Sequence, residues 1–358
     1  MTERRQFLRQ TGALGLGLGQ GSVLWASASV SAHADGEAAP TQLAGGYDTG
    51  RHAEAKPVSI PPITLLSIQG SGHSETLGIR FDDGVLDVAQ ASSLLAMPAP
   101  LTMEQLLQEG SWQSLDALVG ATRQVKLTEA MVKESSIRYG RLFARPGKVL
   151  CVGLNYRKHA LEINAPIPRV PVLFSKFNNT LAGHRSTIKL PPREVAYKFD
   201  YETELLVVMG RYARGVSEAE ALDHVAGYCT ANDFSARDLQ METGGQWLIG
   251  KTLDGFAPIG PYFVSAAAVG DPNKLTIETR VNGEVRQSSS TSDFIFNVQQ
   301  IISYVSRHFT LEPGDIIFTG TPQGVILGMP PEQRVWLKAG DQITSTIEKL
   351  GTLSFTLA

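Results

Sequence analysis

The chain has 358 residues, a formal net charge of −3 and a sequence pI near 6.2, with 42% hydrophobic and 19% charged residues. This balance is typical of a globular protein and argues against the basic surface that nucleic-acid binding requires. Two cysteines, Cys151 and Cys229, are too few for a disulfide scaffold. Both lie in apolar stretches, so we expect buried free thiols, although a single bridge between them stays open.

The N-terminus resembles a twin-arginine export signal. Arg4 and Arg5 precede residues 10–34, which contain no Asp, Glu, Lys or Arg, and Ala32-His33-Ala34 offers a cleavage site of small residues. We predict a signal peptide over 1–34, a flexible linker over 35–60 and export to the periplasm. A disordered N-terminus and a retained anchor are the alternatives. Alternating glycines make a poor spanning helix, so we expect no stable membrane insertion.

The pattern of apolar residues divides the remainder of the chain into two parts. Residues 63–68 and 76–81 are predicted strands, and the second continues through a hairpin turn at residues 82–84. Short helical stretches follow, which predicts a small α+β domain over 61–140. Strands dominate from residue 147 onward, so a second, catalytic domain is predicted over 147–358, and the fold class is α+β and rich in strands.

The strand predicted at residues 201–209 carries acidic residues at its start. Because the side chains of a strand alternate between faces, Asp200, Glu202 and Glu204 share one face, and the apolar run after them indicates a buried strand. Carboxylates grouped near a core repel one another unless a cation neutralises them. The alternative is an edge strand with a solvated acidic face.

A second acidic position follows the next apolar run. If a helix starts near Asp233, then Arg237 and Gln240 share a stripe with it at spacings of four and seven. Asp233 would then either cap the helix or supply a third oxygen ligand to a site with Glu202 and Glu204. Ligands that are all oxygen favour Mg²⁺, Mn²⁺ or Ca²⁺ over zinc.

Two further groups of residues offer catalytic chemistry. His159 and Glu162 are three residues apart, which suits a carboxylate that orients an imidazole base, with Asn155 as the N-cap of their helix. A surface His–Glu pair without chemistry is the alternative. Lys251 and the Gly-rich turn at residues 320–325 are weak signals when taken alone.

Together these stretches resemble the fumarylacetoacetate hydrolase family. The matching segments, in family order, are GLNYRKHALE, PVLFSK, DYETEL, ANDFSARDLQ and LEPGDIIFTGTPQGV. The resemblance implies a mixed β-roll, a homodimer and a divalent metal, Mg²⁺ before Mn²⁺ or Ca²⁺. The site residues it implies are Glu202, Glu204 and Asp233 as metal ligands, His159 and Glu162 as a water-activating pair, Lys251, Arg237 and Gln240 at substrate oxygens, and Thr321 at a substrate carboxylate.

Departures from the family pattern occur at Ile326, where a glycine is frequent, and at Ile249, where a polar residue is frequent. The predicted function is hydrolysis of a carbon–carbon bond in a 1,3-dicarbonyl or acylpyruvate-type substrate, through an enolate that the metal stabilises. Decarboxylation, tautomerisation or isomerisation of keto acids on the same fold is the main alternative. An exported protein that binds small dicarboxylates without turnover is the remaining one.

Overall fold

A computed structural model describes residues 60–70 and 74–358, so the predicted signal peptide and most of the predicted linker lie outside the described residues. The fold is α+β and rich in strands, as the sequence predicts. The strands of the described residues are, in chain order, β1 (Thr64–Gln69), β2 (Glu75–Phe81), β3 (Gly84–Asp87), β4 (Met131–Val132), β5 (Val149–Gly153), β6 (Val172–Ser175), β7 (Leu181–Ala182), β8 (Ser186–Ile188), β9 (Phe199–Asp200), β10 (Thr203–Met209), β11 (Val225–Asn232), β12 (Ser235–Ala236), β13 (Ala257–Ser265), β14 (Thr276–Val281), β15 (Glu284–Ser290), β16 (Ile316–Phe318), β17 (Gln342–Ile347) and β18 (Gly351–Leu357).

Three of the eight described α-helices, the first, the second and the last, begin at a residue whose side chain caps the helix. Asn297 and Gln300 form a capping box at the start of the last helix, and Thr102 accepts a hydrogen bond from the backbone of Gln105 at the start of the second. The helices are α1 (Val88–Leu95), α2 (Met103–Gln108), α3 (Trp112–Val125), α4 (Arg157–Glu162), α5 (Arg237–Glu242), α6 (Leu248–Lys251), α7 (Ala266–Val269) and α8 (Val298–His308).

Ten strands of the largest sheet form one path, in the order β4-β3-β2-β1-β13-β11-β10-β16-β5-β6, with β7 paired to β13. The strands of the predicted N-terminal domain therefore belong to the same sheet as the catalytic part, because β1 pairs with β13. Their apolar side chains share one core, in which Leu65 and Leu106 pack with Phe263. Independent folding of residues 61–140 stays a prediction.

A second sheet of five strands, in the order β15-β14-β17-β18-β8, packs near β10 and β11. The hairpin between β14 and β15 turns at Asn282 and Gly283, both with positive φ, as the Asn-Gly signal predicts. Strand β10 is buried on both faces: Leu206 and Val208 enter one core, while Leu205 and Val207 enter the other. Both faces of this strand are therefore packed against apolar side chains.

Both cysteines are buried and unpaired, as predicted. Burial raises the pKa of each thiol well above its usual range. Among the residues that the structure describes, no helix has the length and apolar character needed to cross a membrane.

Candidate active site

Three buried carboxylates meet where β10 begins and β11 ends. Glu202 and Glu204 point to one face because they are two residues apart, and the backbone N–H of Asp233 donates to the carbonyl of Glu202 at 2.8 Å. One oxygen from each of the three carboxylates lies within 4.8 Å of the others. The antiparallel pairing of β10 with β11 thus assembles the acidic triad that the sequence predicts.

Lys251 bridges two carboxylates of the triad, and Arg237 contacts one of them. Lys251 Nζ lies 2.6 Å from Glu202 Oε2 and 2.9 Å from Asp233 Oδ2, and Arg237 Nη2 lies 2.6 Å from Glu202 Oε1. Glu204 has no such ion pair among the described residues, and its carboxylate accepts a hydrogen bond from the N–H of Gly320 at 2.7 Å. The positive charge is therefore concentrated on one side of the triad.

The pKa shifts follow from this asymmetry. Burial raises the pKa of Glu202, but the charges of Arg237 and Lys251 outweigh it and lower that pKa to about 2. The pKa of Glu204 is raised well above its usual range, by burial first and then by the negative charges of Asp233 and Glu202. A carboxylate in such surroundings is one that a divalent cation would stabilise in its charged form.

The donor set and the charge count both fit a divalent cation. The triad offers oxygen ligands alone, which Mg²⁺, Mn²⁺ and Ca²⁺ prefer. Four buried carboxylates, the triad and Asp200, face three buried cations, which leaves a formal charge of −1 when all are ionised. A divalent cation would change this to +1 and would favour an anionic ligand.

Lys176 is the third buried cation, and it was not assigned from the sequence. Its Nζ lies 2.5 Å from Asp233 Oδ1 and 3.3 Å from the carbonyl oxygen of Phe234. The signal was present, since a lysine directly after the apolar strand β6 is placed to enter a core. A buried lysine requires a charged partner, and Asp233 is that partner.

Asp200, which the sequence places on one face with Glu202 and Glu204, contacts the same guanidinium as Glu202 but is not a member of the triad. Asp200 ends β9, and its carboxylate accepts hydrogen bonds from Arg237 Nε at 2.8 Å and from the N–H groups of Ile326 and Leu327. The break between β9 and β10 ends the alternation of faces on which the prediction relied. Asp200 therefore anchors Arg237, whose Nη1 also donates to Gln240 at 2.8 Å.

The helix that carries Arg237 and Gln240 begins at Arg237, so Asp233 is not its cap. Asp233 lies four residues earlier, directly after β11, with its side chain toward the two lysines. Arg237 and Gln240 remain on one side of this helix, three residues apart.

His159 and Glu162 form the predicted pair on α4, with Nδ1 and Oε2 separated by 3.2 Å. Glu162 Oε1 also accepts a hydrogen bond from the N–H of Gly324 at 2.9 Å. His159 is buried and close enough to Glu202 that a positive charge on its imidazole would lower the pKa of that carboxyl, so the pair lies beside the triad rather than on a remote surface. The carboxylate thus connects α4 to the Gly-rich turn.

Asn155 has a different role from the predicted N-cap, since Tyr156 occupies that position. The Asn155 amide donates to the carbonyls of Phe296 and Thr319 and accepts from the N–H of Phe296. Thr319 directly precedes Gly320, whose N–H donates to Glu204. Asn155 therefore holds the start of α4 against the chain that follows β16, next to the triad.

An aromatic wall lies next to Lys251. Its ammonium is 5.3 Å from the centre of the Phe174 ring, which meets Trp247 edge to face at 5.4 Å. Trp247 also packs against Gly153, where a Cβ would lie 2.4 Å from the indole. Ile249, one of the two residues that depart from the family pattern, follows Trp247 by two positions. It is 56% exposed and forms no part of the buried core.

Thr321 directly follows Gly320 in the turn after β16. Its hydroxyl donates to the carbonyl of Thr203 at 3.0 Å and accepts from the side chain of Gln287 at 2.9 Å. A substrate carboxylate can only accept, so the predicted contact at Thr321 requires the hydroxyl proton to turn from the Thr203 carbonyl to the substrate, while Gln287 continues to donate to Oγ1.

A strand-rich fold with a buried acidic triad beside a His–Glu pair fits a metal-dependent enzyme. A family model described as fumarylacetoacetate (FAA) hydrolase, C-terminal, matches residues 148–358. The chain is 42% identical over 273 residues to the mitochondrial oxaloacetate tautomerase FAHD2A of Bos taurus, covering 75% of this chain and 82% of that protein. The protein belongs to the fumarylacetoacetate hydrolase family.

Solved structures of the family share the fold. The fumarylacetoacetate hydrolase of Exiguobacterium antarcticum is 32% identical, with a TM-score of 0.67 over 82% of this chain and 99% of that one. A maleylpyruvate hydrolase from Sphingobium sp. SYK-6, in complex with manganese(II) and pyruvate, is 25% identical, with a TM-score of 0.65 over 82% and 98%. Hydrolases and tautomerases therefore both occur among the proteins that this chain resembles.

The prediction of export to the periplasm is wrong. Oxaloacetate tautomerases of Bos taurus, Rattus norvegicus and Homo sapiens that are 41–42% identical to this chain are mitochondrial proteins. Arginines followed by a stretch without acidic residues also occur in mitochondrial transit peptides, so this composition does not distinguish the two kinds of targeting segment.

Proposed function

We propose that the protein is a metal-dependent keto–enol tautomerase of short 2-oxo dicarboxylic acids. The observation that carries this proposal is the His159–Glu162 pair beside the acidic triad, because one oriented base next to a charge-stabilising site is sufficient for proton transfer at carbon. Tautomerisation is preferred to hydrolysis because the relative that is 42% identical over 75% of the chain is an oxaloacetate tautomerase.

A divalent cation on Glu202, Glu204 and Asp233 would supply Lewis-acid stabilisation of negative charge on two neighbouring substrate oxygens. We propose Mg²⁺ first, with Mn²⁺ or Ca²⁺ as alternatives. The site's formal charge of +1 with such a cation supports an anionic substrate. Lys251 and Arg237 lie on the same side of the triad, where they would offset charge that develops on the substrate.

His159 is the proposed base. When its Nδ1–H donates to Glu162, its Nε2 is unprotonated and accepts the proton from the carbon between the two carbonyl groups. The electron pair of that C–H bond forms the C=C bond and the π pair of the carbonyl moves to its oxygen. The same proton then passes from Nε2 to this oxygen to give the enol. A positioned base of this kind contributes about two to four orders of magnitude in rate.

Hydrolysis of a carbon–carbon bond is the second candidate function. The same pair could remove a proton from water instead of from carbon, and the structural neighbour from Sphingobium is a hydrolase. Hydrolysis additionally requires space for a water molecule beside the carbonyl carbon and a proton donor for the departing carbanion. The two reactions differ in whether the carbon skeleton survives.

The test uses purified protein with Mg²⁺ or Mn²⁺ and a panel that contains oxaloacetate, acylpyruvates and maleylpyruvate. We expect faster loss of the ultraviolet absorbance of the oxaloacetate enol, deuterium incorporation at C3 in D₂O, and no cleavage. His159→Ala should lower this rate at least about 100-fold, whereas His308→Ala, at the exposed end of α8, should not change it. Cleavage of an acylpyruvate without enol turnover would favour the hydrolase instead.

The individual substrate contacts stay proposals. Arg237 and Gln240 are joined to each other and to Asp200, which supports a rigid wall for substrate oxygens. Thr321 is proposed at the substrate carboxylate, and the homodimer that the family resemblance implies remains a prediction.

A further inference from the structure

Gln287 lies on β15, in the five-stranded sheet, and is 1% exposed. Its Oε1 accepts hydrogen bonds from the N–H of Thr203 at 3.1 Å and from Thr279 Oγ1 at 2.5 Å. Its Nε2 donates to Thr321 Oγ1 at 2.9 Å and to the carbonyl of Pro322 at 2.8 Å. All four hydrogen-bonding positions of the amide are used.

The partners of Gln287 belong to both ends of the proposed site. Thr203 stands between Glu202 and Glu204 in the sequence, so its backbone sets the position of both carboxylates. Thr321 follows Gly320, whose N–H donates to Glu204. One amide therefore joins the strand that carries the metal ligands to the turn that carries the proposed carboxylate contact.

The chemistry at this position requires an amide in one orientation. The N–H of Thr203 can only donate and the carbonyl of Pro322 can only accept, so the oxygen of Gln287 must face the first and its nitrogen the second. A methionine of similar length could satisfy neither group. A glutamate would keep the acceptor for Thr203 and lose the donors for Thr321 and Pro322.

We infer that Gln287 is a positioning residue that fixes the Thr321 hydroxyl relative to the metal-binding carboxylates, and so sets the affinity for the carboxylate of a 2-oxo acid. The inference deepens the proposed function and rests on it for the identity of the ligand. Gln287 acts through Thr321 and Thr203 and does not itself touch the substrate.

The experiment compares Gln287→Met with Thr279→Val, using Mn²⁺ and oxalate as probes of binding and oxaloacetate for turnover. Thr279→Val removes a buried hydrogen bond to the same amide and the contact of Thr279 Oγ1 with Thr203 Oγ1, but leaves both N–H donors of the amide in place. It is therefore the control for loss of buried polar contacts around Thr203 without loss of the hydrogen bond to Thr321. For Gln287→Met we expect about a 10- to 100-fold rise in KM and in the Kd of oxalate, the range for one hydrogen bond to a charged group, with kcat within about threefold of wild type.

For Thr279→Val we expect a lower melting temperature and a Kd of oxalate within about threefold of wild type. Thr321→Val should raise the Kd as much as Gln287→Met, and the double variant no more than either single change. Equal rises in Gln287→Met and Thr279→Val, or an unchanged Kd in Gln287→Met, would show that Gln287 only stabilises the core. If Gln287→Met does not fold, Gln287→Glu is measured in its place with the same expectations.

The two proposals fail separately. If wild-type protein turns over no 2-oxo acid in the panel, the tautomerase proposal fails, whereas the Kd of oxalate with Mn²⁺ still tests the role of Gln287. If turnover is found and Gln287→Met leaves both KM and Kd unchanged, only the positioning role is overturned.

Discussion

Gly328 allows the His159–Glu162 pair to be disturbed without changing either residue. A Cβ at Gly328 would lie 2.3 Å from Glu162 Cδ and 2.4 Å from its Oε2. The backbone of Gly328 has no positive φ, so alanine fits its conformation and the clash involves the end of a flexible side chain. Gly328→Ala should therefore turn the Glu162 carboxylate away from His159 and from the N–H of Gly324.

The magnitude follows from the contacts that are lost. Glu162 is 22% exposed and can turn toward water, so the cost to folding should be about 1 kcal/mol, the net value of its hydrogen bond to Gly324. His159 would stay in place without its orienting partner. We expect kcat to fall about 10- to 100-fold, a part of what a positioned base contributes.

The assay is enol turnover of oxaloacetate at saturating Mg²⁺, with the Kd of Mn²⁺ measured by calorimetry. The control is Gly120→Ala in α3, where nothing lies within 4 Å of the added methyl group. That change should leave kcat at the wild-type value and stabilise the helix by about 0.5–1 kcal/mol. The Kd of Mn²⁺ should be unchanged in both variants, because neither touches the triad.

A wild-type kcat in Gly328→Ala would refute the role of the Glu162 carboxylate in orienting the base. A loss of Mn²⁺ affinity that parallels the loss of kcat would also refute it, since the defect would then lie in the metal site rather than in the pair.

Three further predictions follow from the buried titratable groups. Glu204→Gln should raise the melting temperature of the metal-free protein, because it removes the repulsion that raises the pKa of Glu204, and should abolish the stabilisation that added Mn²⁺ gives to the wild type. Burial, and then the charge of Arg185, lower the pKa of His184 to about 4, so the unfolded state binds more protons between pH 4 and 6.5. Acidification across that window should lower the free energy of unfolding on the order of 1–2 kcal/mol, allowing for partial exposure, and His184→Asn should remove this slope from the melting curves. Cys151 and Cys229 should not react with a disulfide reagent in the native protein and should both react in guanidinium; reaction of either thiol without unfolding would contradict their burial.

The strand periodicity of residues 202–209 was sufficient to predict two members of the acidic triad. Glu204 lies on β10, whose later residues are apolar on both faces, and Glu202 directly precedes the first residue of that strand. The proximity and the burial of the two carboxylates therefore follow from local pattern. The same reasoning did not separate Asp200 from the triad, because the change of strand between residues 200 and 203 leaves no mark in the sequence.

Long-range contacts decided what the pattern could not. Lys176 and Gln287 are 57 and 84 residues from their partners Asp233 and Thr203, so no local spacing connects them. The low pKa of Glu202 likewise depends on Arg237 and on Lys251, which is 49 residues away in the sequence.

The sequence by itself determined the strand-rich α+β class, the acidic residues of the site and the His159–Glu162 pair, since alternation and helical spacing are properties of neighbouring residues. Only the tertiary structure decided that the N-terminal strands join the catalytic sheet, that Asp200 anchors Arg237, and that Gln287 joins the two ends of the site. These features depend on which strands pair and which sheets pack. That choice is made by burial summed over the whole chain, and it is not encoded at any one position.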